Sequence, residues 1–409
     1  MTKKKLPFLE WVFILFFAFI CLNPKMNVLI SMPIFLSLEL LYSLYIIIVE
    51  SKMRGFVAGM VSCSLVIALM YVFTTESIYV GQEAEYRELK SFLAMFFSYL
   101  SLCFPILMTY RLLLYGSLFQ KKSTLIILIA LLSVVFYETW TELSVNKRIV
   151  KARMSSVMDE KDNMIVGGYT FICANAVMIP SVFYAFRICT NKKIRWVLLL
   201  TTCFLVVFVV RSLYTIALIA AFLGMCYTMS SKTQRRLLPL IILLPIILPL
   251  ILPLLINILD EGDIKYRIME IHSLLISGHI GEGNLAARAE LYLRGLVSFL
   301  SSPIWGNYSL GFDPHSTMIE LLASVGLIGF VPFVIILRKS FGLIKKMQPQ
   351  WRIAPVFATF LFMALTNPVH SSLPLNMTMW LLIPLLYDFV DFINTDKSKP
   401  NTSLKFKIQ

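Results

Sequence analysis

WVLLLTTCFLVVFVVRSLYTIALIAAFLGMCYTM, residues 196–229, decides how this chain is folded. The run is longer than the roughly 20 apolar residues that cross a bilayer, and Arg211 stands near its middle. As one tilted helix it would bury a guanidinium in hydrocarbon, at a cost of several kcal/mol. As two short helices turning at Val210-Arg211-Ser212, it delivers Arg211 to an interface or an aqueous cavity. The choice propagates downstream. A single span inverts every later loop and separates the Lys-rich C-terminus from the Lys-rich N-terminus, so two helices are expected.

Working outward, the composition is that of an integral membrane protein: 58% hydrophobic and 15% charged. About twelve apolar runs are long enough to span, centred near Leu15, Ser37, Leu65, Pro105, Leu131, Val177, Phe204, Ala220, Ile247, Leu327, Phe360 and Leu382. The runs are continuous and do not alternate, which excludes a transmembrane β-barrel. The expected fold is all-α, a single multi-pass membrane domain over residues 1–409. No small-x-small cleavage site follows Cys21, so the first run reads as a retained span. The seven Cys lie within or beside apolar runs without a C-x-x-C and read as small buried hydrophobes.

The formal charge of +14 raises the question of nucleic acid, but its distribution answers it. Alternate loops collect most of the Lys and Arg on one side: Lys3–Lys5, Lys52, Arg54, Lys121, Lys122, Arg187, Lys192, Lys193, Arg195, Lys232, Arg235, Arg236, Arg338, Lys339, Lys345, Lys346 and the C-terminal tail. This is the positive-inside bias, so both termini are expected in the cytoplasm. The charge orients the protein and attracts anionic lipid, and no nucleic-acid partner is expected.

The longer polar segments then lie outside, at residues 76–90, 141–164 and 260–314. The last, between the ninth and tenth spans, is the largest. Within it residues 285–301 lack Pro and contain only Gly295, so an amphipathic helix is expected there. The flanking GHIGEGN and PIWGNYSLGFDP read as turns. The preceding run, 237–259, carries Pro239, Pro245, Pro249 and Pro253, which bend a helix.

Chemistry is sought where a hydrophobic chain turns polar. Arg211 emerges from one pair of spans, and Arg288 and Arg294 lie on the loop helix. A guanidinium is permanently charged and forks onto phosphate oxygens. No outer carboxylate cluster stands ready for Mg²⁺, so a site built by these Arg is expected to need no metal or other cofactor. Arg288 and Tyr292 share one helical face, as do Glu290 and Arg294. Arg294 is thus set for an ion pair with Glu290, whereas Arg288 has no acid one turn away. His315 opens a span after Pro314 and has the chemistry to take a proton from a sugar hydroxyl near neutral pH. His370, at a second outer turn (NPVHSSLP), reads as structural; nothing distinguishes His272 and His279.

His315-Ser316, nine residues, Gly326, two residues, Gly329 has the form H-[NSQ]-x9-G-x2-G. With the upstream Arg288 and Pro303-Ile304-Trp305-Gly306, it resembles the O-antigen ligase/polymerase superfamily of bacterial inner-membrane glycosyltransferases. Val210-Arg211-Ser212 is similar to that family's S-R-S/A motif, with Val for the first Ser. Other departures are Ser316 where Asn is commoner and one Gly306 where G-x-G often stands. The likeness covers roughly residues 210–330.

The resemblance implies GT-C-type, inverting, metal-independent glycosyl transfer on the periplasmic face. The donor it implies is a glycan on undecaprenyl pyrophosphate. Arg211 and Arg288 would bind the pyrophosphate, Arg294, Tyr292 and Ser316 would line the substrate site, and His315 would position or deprotonate the acceptor hydroxyl. Two acceptors are open, a lipid-linked repeat unit (a polymerase) or lipid A-core (a ligase), and overall likeness of the loop favours the polymerase. Lys147, Arg148, Lys151 and Arg153, on another outer loop, read first as a solvated charge run; a lipid-linked acceptor would call for a second phosphate patch, and they are the residues that would supply it. Membrane lipids and a chain-length regulator protein are further partners the resemblance implies. A transporter or flippase of similar span number is the reading from another class. It would call for matching broken helices in two halves, and no internal repeat is visible.

Overall fold

The computed structural model describes residues 5–23, 30–75, 82–145, 168–212, 214–229, 284–307, 316–351, 353–370 and 372–396, with a few positions between 252 and 273. The main elements among them are all helices. They are α1 (Phe8–Leu22), α2 (Met32–Val49), α3 (Arg54–Thr75, entered by a 3-10 turn at Ser51–Met53), α4 (Gln82–Cys103), α5 (Pro105–Tyr115), α6 (Leu118–Val145) and α7 (Gly168–Ile188). There follow α8 (Lys192–Arg211), α9 (Thr215–Thr228), α10 (Asn284–Ser301), α11 (Thr317–Met347) and α12 (Ala354–Thr366). Last, α13 (Leu373–Met377) passes through a π turn at Thr378–Leu382 into α14 (Ile383–Asp396).

Residues 196–229 are two helices, α8 and α9, with the turn just after Arg211. Among the described residues, eight stretches are long and apolar enough to cross a membrane: Met32–Val49, Ser51–Thr74, Phe92–Tyr115, Leu118–Thr141, Thr170–Ile188, Lys192–Arg211, Thr317–Met347 and Leu373–Thr395. The chain therefore has the makings of a multi-pass membrane protein. Hydropathy placed further centres on α1, α9 and α12, which are apolar but shorter, with 15, 14 and 13 residues. At about 1.5 Å per residue such helices fall short of a hydrocarbon layer about 30 Å thick. The centre at Ile247 and nearly all of the Pro-rich run lie outside the described residues.

Burial separates centre from perimeter where composition does not. The spans containing α13–α14 and α7 are 83% and 78% buried, against 28% for α8 and 33% for α2. Accordingly α7 packs against α8, α9, α12 and α13, and α11 packs against α3, α4, α10 and α12. All seven Cys are free thiols. Cys21, Cys103, Cys173, Cys189 and Cys226 are buried as expected, but Cys63 is only half-buried and Cys203 is exposed on the peripheral α8.

Polar contacts gather helix termini into two ends. At one, Leu6 N–H donates to Tyr115 O (2.9 Å), Lys121 pairs with Asp388 (3.3 Å), Thr190 N–H donates to Asn394 Oδ1 (2.9 Å) and Trp351 Nε1 donates to Asp391 Oδ2 (2.8 Å). Lys122, Lys192, Lys193, Lys345 and Lys346 belong to these termini. Just inside, Arg111 makes two 2.7 Å bonds to the carboxylate of Glu10, which Tyr42 and Tyr45 also contact at 3.1 and 3.0 Å. Glu50 lies 3.6 Å from the same guanidinium. This buried cluster ties α1, α2 and α5 together, and no local pattern announces it.

Helices also run further than hydropathy implied. Helix enters both polar segments read as 76–90 and 141–164: α4 begins at Gln82 and α6 continues to Val145. Backbone hydrogen bonding does not stop where side chains turn polar. Residues 146–167, with Lys147, Arg148, Lys151 and Arg153, are outside the described residues.

Candidate functional site

Of the residues singled out from sequence, the other end of the bundle holds Arg211, Tyr292 and Ser316. Arg211 is the last residue of α8 and is exposed; its Nη2 donates to the Leu143 carbonyl at the end of α6 (3.2 Å). The turn that follows is set by Ser212, whose hydroxyl donates back to Val209 O (2.6 Å). It carries Tyr214, whose hydroxyl bonds Asn367 Oδ1 just past α12.

The start of α11 is capped by Ser316, an extended residue whose Oγ accepts from Ile319 N–H (3.2 Å). The same hydroxyl lies 3.4 Å from Ala364 O. Thr317 N–H and hydroxyl both donate to the Asn367 carbonyl at 3.1 Å, and Thr317 Oγ1 accepts from Val369 N–H (2.8 Å). The Tyr292 hydroxyl of α10 donates to Thr366 O (3.1 Å). The turn after Arg211, the middle of α10 and the residues after His315 thus all close on one short segment, 364–370. His315 itself, and the side chain of Arg288, lie outside the described residues; α10 carries the Arg288 backbone. Arg294 pairs with Glu290 as its spacing predicted, and both are exposed.

The motif glycines act through the backbone. Gly326 has φ 59° and ψ −158°, so α11 breaks there. A Cβ at Gly326 would stand 2.4 Å from Ile304 O, and one at Gly306 (φ 82°) would stand 2.4 Å from Ser324 O. Such positive-φ geometry under direct backbone contact leaves room only for glycine. The turn at 303–307 satisfies the groups freed by the break. Leu327 N–H donates to Pro303 O (2.9 Å), Ile328 N–H to Ile304 O (3.2 Å), and Asn307 N–H to Ala323 O (2.6 Å). The P-x-x-G and G-x-x-G pieces are therefore two sides of one dock holding α10 on α11.

Of the residues at the centre of this end, sequence reasoning passed over Glu320 and Asn367. His370, read as structural, is buried and donates or accepts at Thr317 Oγ1 (3.1 Å). Its ring stacks on Tyr99 with centroids 5.0 Å apart, and burial lowers its pKa to about 4. Glu320, in the first turn of α11, accepts from Tyr71 (3.0 Å). Asn367 escaped notice because its partners, Tyr214 and Thr317, are far away in sequence. Among the described residues no three His, Cys, Asp or Glu side chains group as metal ligands. Compared with known proteins, the chain matches no family model, and no curated protein shares significant sequence similarity with it.

Proposed function

We propose that this chain is a glycosyltransferase of the O-antigen ligase/polymerase kind, about twelve spans in the bacterial inner membrane, with both termini cytoplasmic and the site periplasmic. The observation that carries the reading is the closure of three separated pieces on residues 364–370. They are the turn bearing Arg211, the helix bearing Arg288 and Tyr292, and Ser316-Thr317 after His315.

In this reading the acceptor hydroxyl oxygen attacks the anomeric carbon of a glycan on undecaprenyl pyrophosphate. The bond to the pyrophosphate oxygen breaks, and the leaving group keeps the electron pair. Arg211 and Arg288 meet the charge that develops there, which is where preorganised cations accelerate most. His315 receives the hydroxyl proton or holds the hydroxyl in line. Tyr292 orients α10, and Arg294, held by Glu290, has a substrate-lining role. No metal is invoked, since the Arg supply the positive charge. The acceptor is a second lipid-linked repeat unit, making the enzyme a polymerase.

The test is the lipopolysaccharide profile of a strain lacking the chain. Single repeat units on core are expected. Bare core with accumulated lipid-linked polymer would make the enzyme a ligase, and a normal profile would overturn the assignment. Arg288→Lys should abolish complementation despite keeping the charge, because the bidentate fork is lost.

A further inference from the structure

α10 does not lie across the end of the bundle; it descends along α11. Tyr292 meets Thr366, beside the Asn367 carbonyl that holds Thr317, so it stands level with the start of α11. Further along, the Ser298 hydroxyl lies 3.4 Å from Ala323 O, and Pro303 O and Ile304 O take the N–H groups of Leu327 and Ile328. The stretch from Tyr292 to Pro303 keeps pace with Thr317 to Leu327, so the two run side by side in the same direction. The turn at Gly306 thus sits about 13 Å along α11 from Thr317, at ~1.5 Å per residue. Ser316 is back at the end of the bundle.

Three observations say what surrounds this descending piece. Its outward face is apolar: Leu293, Leu296, Val297, Leu300 and Ile304 recur at helical spacing and are 44–71% exposed, and Trp305 is 60% exposed. That face continues into Leu327 and Val331 of α11, the exposed side of a candidate span. Charge stops at Arg294, within the first turn of the descent. Arg288, Glu290 and Arg294 occupy the upper part, but residues 295–312 contain no Asp, Glu, Lys or Arg. The Arg294–Glu290 pair draws that guanidinium one turn back toward the upper end.

The third observation is that the irregular backbone is satisfied from within. Besides the bonds across the break, Gly306 N–H donates to Ser302 O (2.8 Å), and Asn307 O receives the Ser298 hydroxyl (2.7 Å). Ser298, small and buried, faces α11 and permits the close approach. Non-helical backbone at membrane depth survives only when protein groups pair it in this way.

We infer that α10 is a re-entrant helix whose outward face, residues 296–305, is immersed in the acyl chains of the leaflet at the Ser316 end of the bundle. Its charged first turns stay at the headgroups. This does not depend on the proposed chemistry. It makes α10 part of the membrane domain, where a water-exposed loop helix would present the same residues to solvent.

The experiment uses the full chain in vesicles of phosphatidylethanolamine and phosphatidylglycerol, with a nitroxide attached at Leu300→Cys, Ile304→Cys or Glu290→Cys. The signal of the parent chain's own thiols is subtracted. Collision with oxygen, which partitions into hydrocarbon, is compared with collision with a water-soluble nickel chelate. Labels at 300 and 304 should favour oxygen several-fold over the label at 290. A label at 300 that meets the chelate as readily as one at 290 would overturn the inference. So would dipolar broadening between labels at 300, which would mean that a second copy covers the face. As a check independent of labelling, Leu300→Asp should lower the yield of membrane-folded protein, whereas a solvent-exposed Leu300 would tolerate it.

Discussion

His370 is a neutral residue by force of its surroundings. Its pKa is lowered to about 4 from the ordinary 6.5 by burial against Tyr99. The unfolded chain therefore binds a proton that the folded chain refuses between those two values. The stability from keeping the ring neutral is complete above about pH 6.5 and is lost as pH falls toward 4, in all about 3 kcal/mol. The thermal midpoint of the purified protein should fall across that window, and His370→Phe, which cannot titrate, should flatten the fall. An unchanged slope would show that another group is responsible. Arg111 is the opposite case, a charge kept buried by partners. Arg111→Met leaves Glu10 and Glu50 without a counter-charge and should cost about 3–5 kcal/mol. Adding Glu10→Gln should recover part of the loss in the same thermal measurement.

At the scale of the element, α11 is the informative case. Ser316 starts it, and its first half ends at Gly326 because the turn at 303–307 supplies the hydrogen bonds that a continuous helix would make internally. Gly326→Ala forces a Cβ onto Ile304 O in a backbone region that side chains avoid, at a cost of about 2–3 kcal/mol. It should lower the thermal midpoint and loosen α10, seen as faster proteolysis within residues 284–307. Gly342→Ala, with open space around it, is the matched control and should be silent. The existence of α10 was legible from a Pro-free stretch with one Gly. The break in α11 was not. Gly326 looked like part of a motif, and its conformation depends on a turn that arrives from twenty residues upstream.

For the whole molecule, the lysine-rich termini joined by Lys121–Asp388 and Thr190–Asn394 form one end, and the Asn367 contacts form the other. With the first end cytoplasmic, a membrane-impermeant maleimide applied to spheroplasts should label Glu290→Cys and spare Lys345→Cys until the membrane is opened. Equal labelling from outside would refute the orientation.

Composition and hydropathy alone determined that this is a helical chain with segments long and apolar enough to cross a membrane, and that residues 196–229 turn in their middle, beside Arg211. These are local properties: an apolar run must leave water, and a guanidinium must stay near it. Only the tertiary structure decided which helices lie inside and which meet lipid, because a bilayer span is apolar on every face. It alone paired Glu10 with Arg111, drew Tyr214, Tyr292 and Thr317 to residues 364–370, and set the two motif glycines back to back. Those contacts join residues far apart in the chain, and no spacing along the sequence encodes the distance between them.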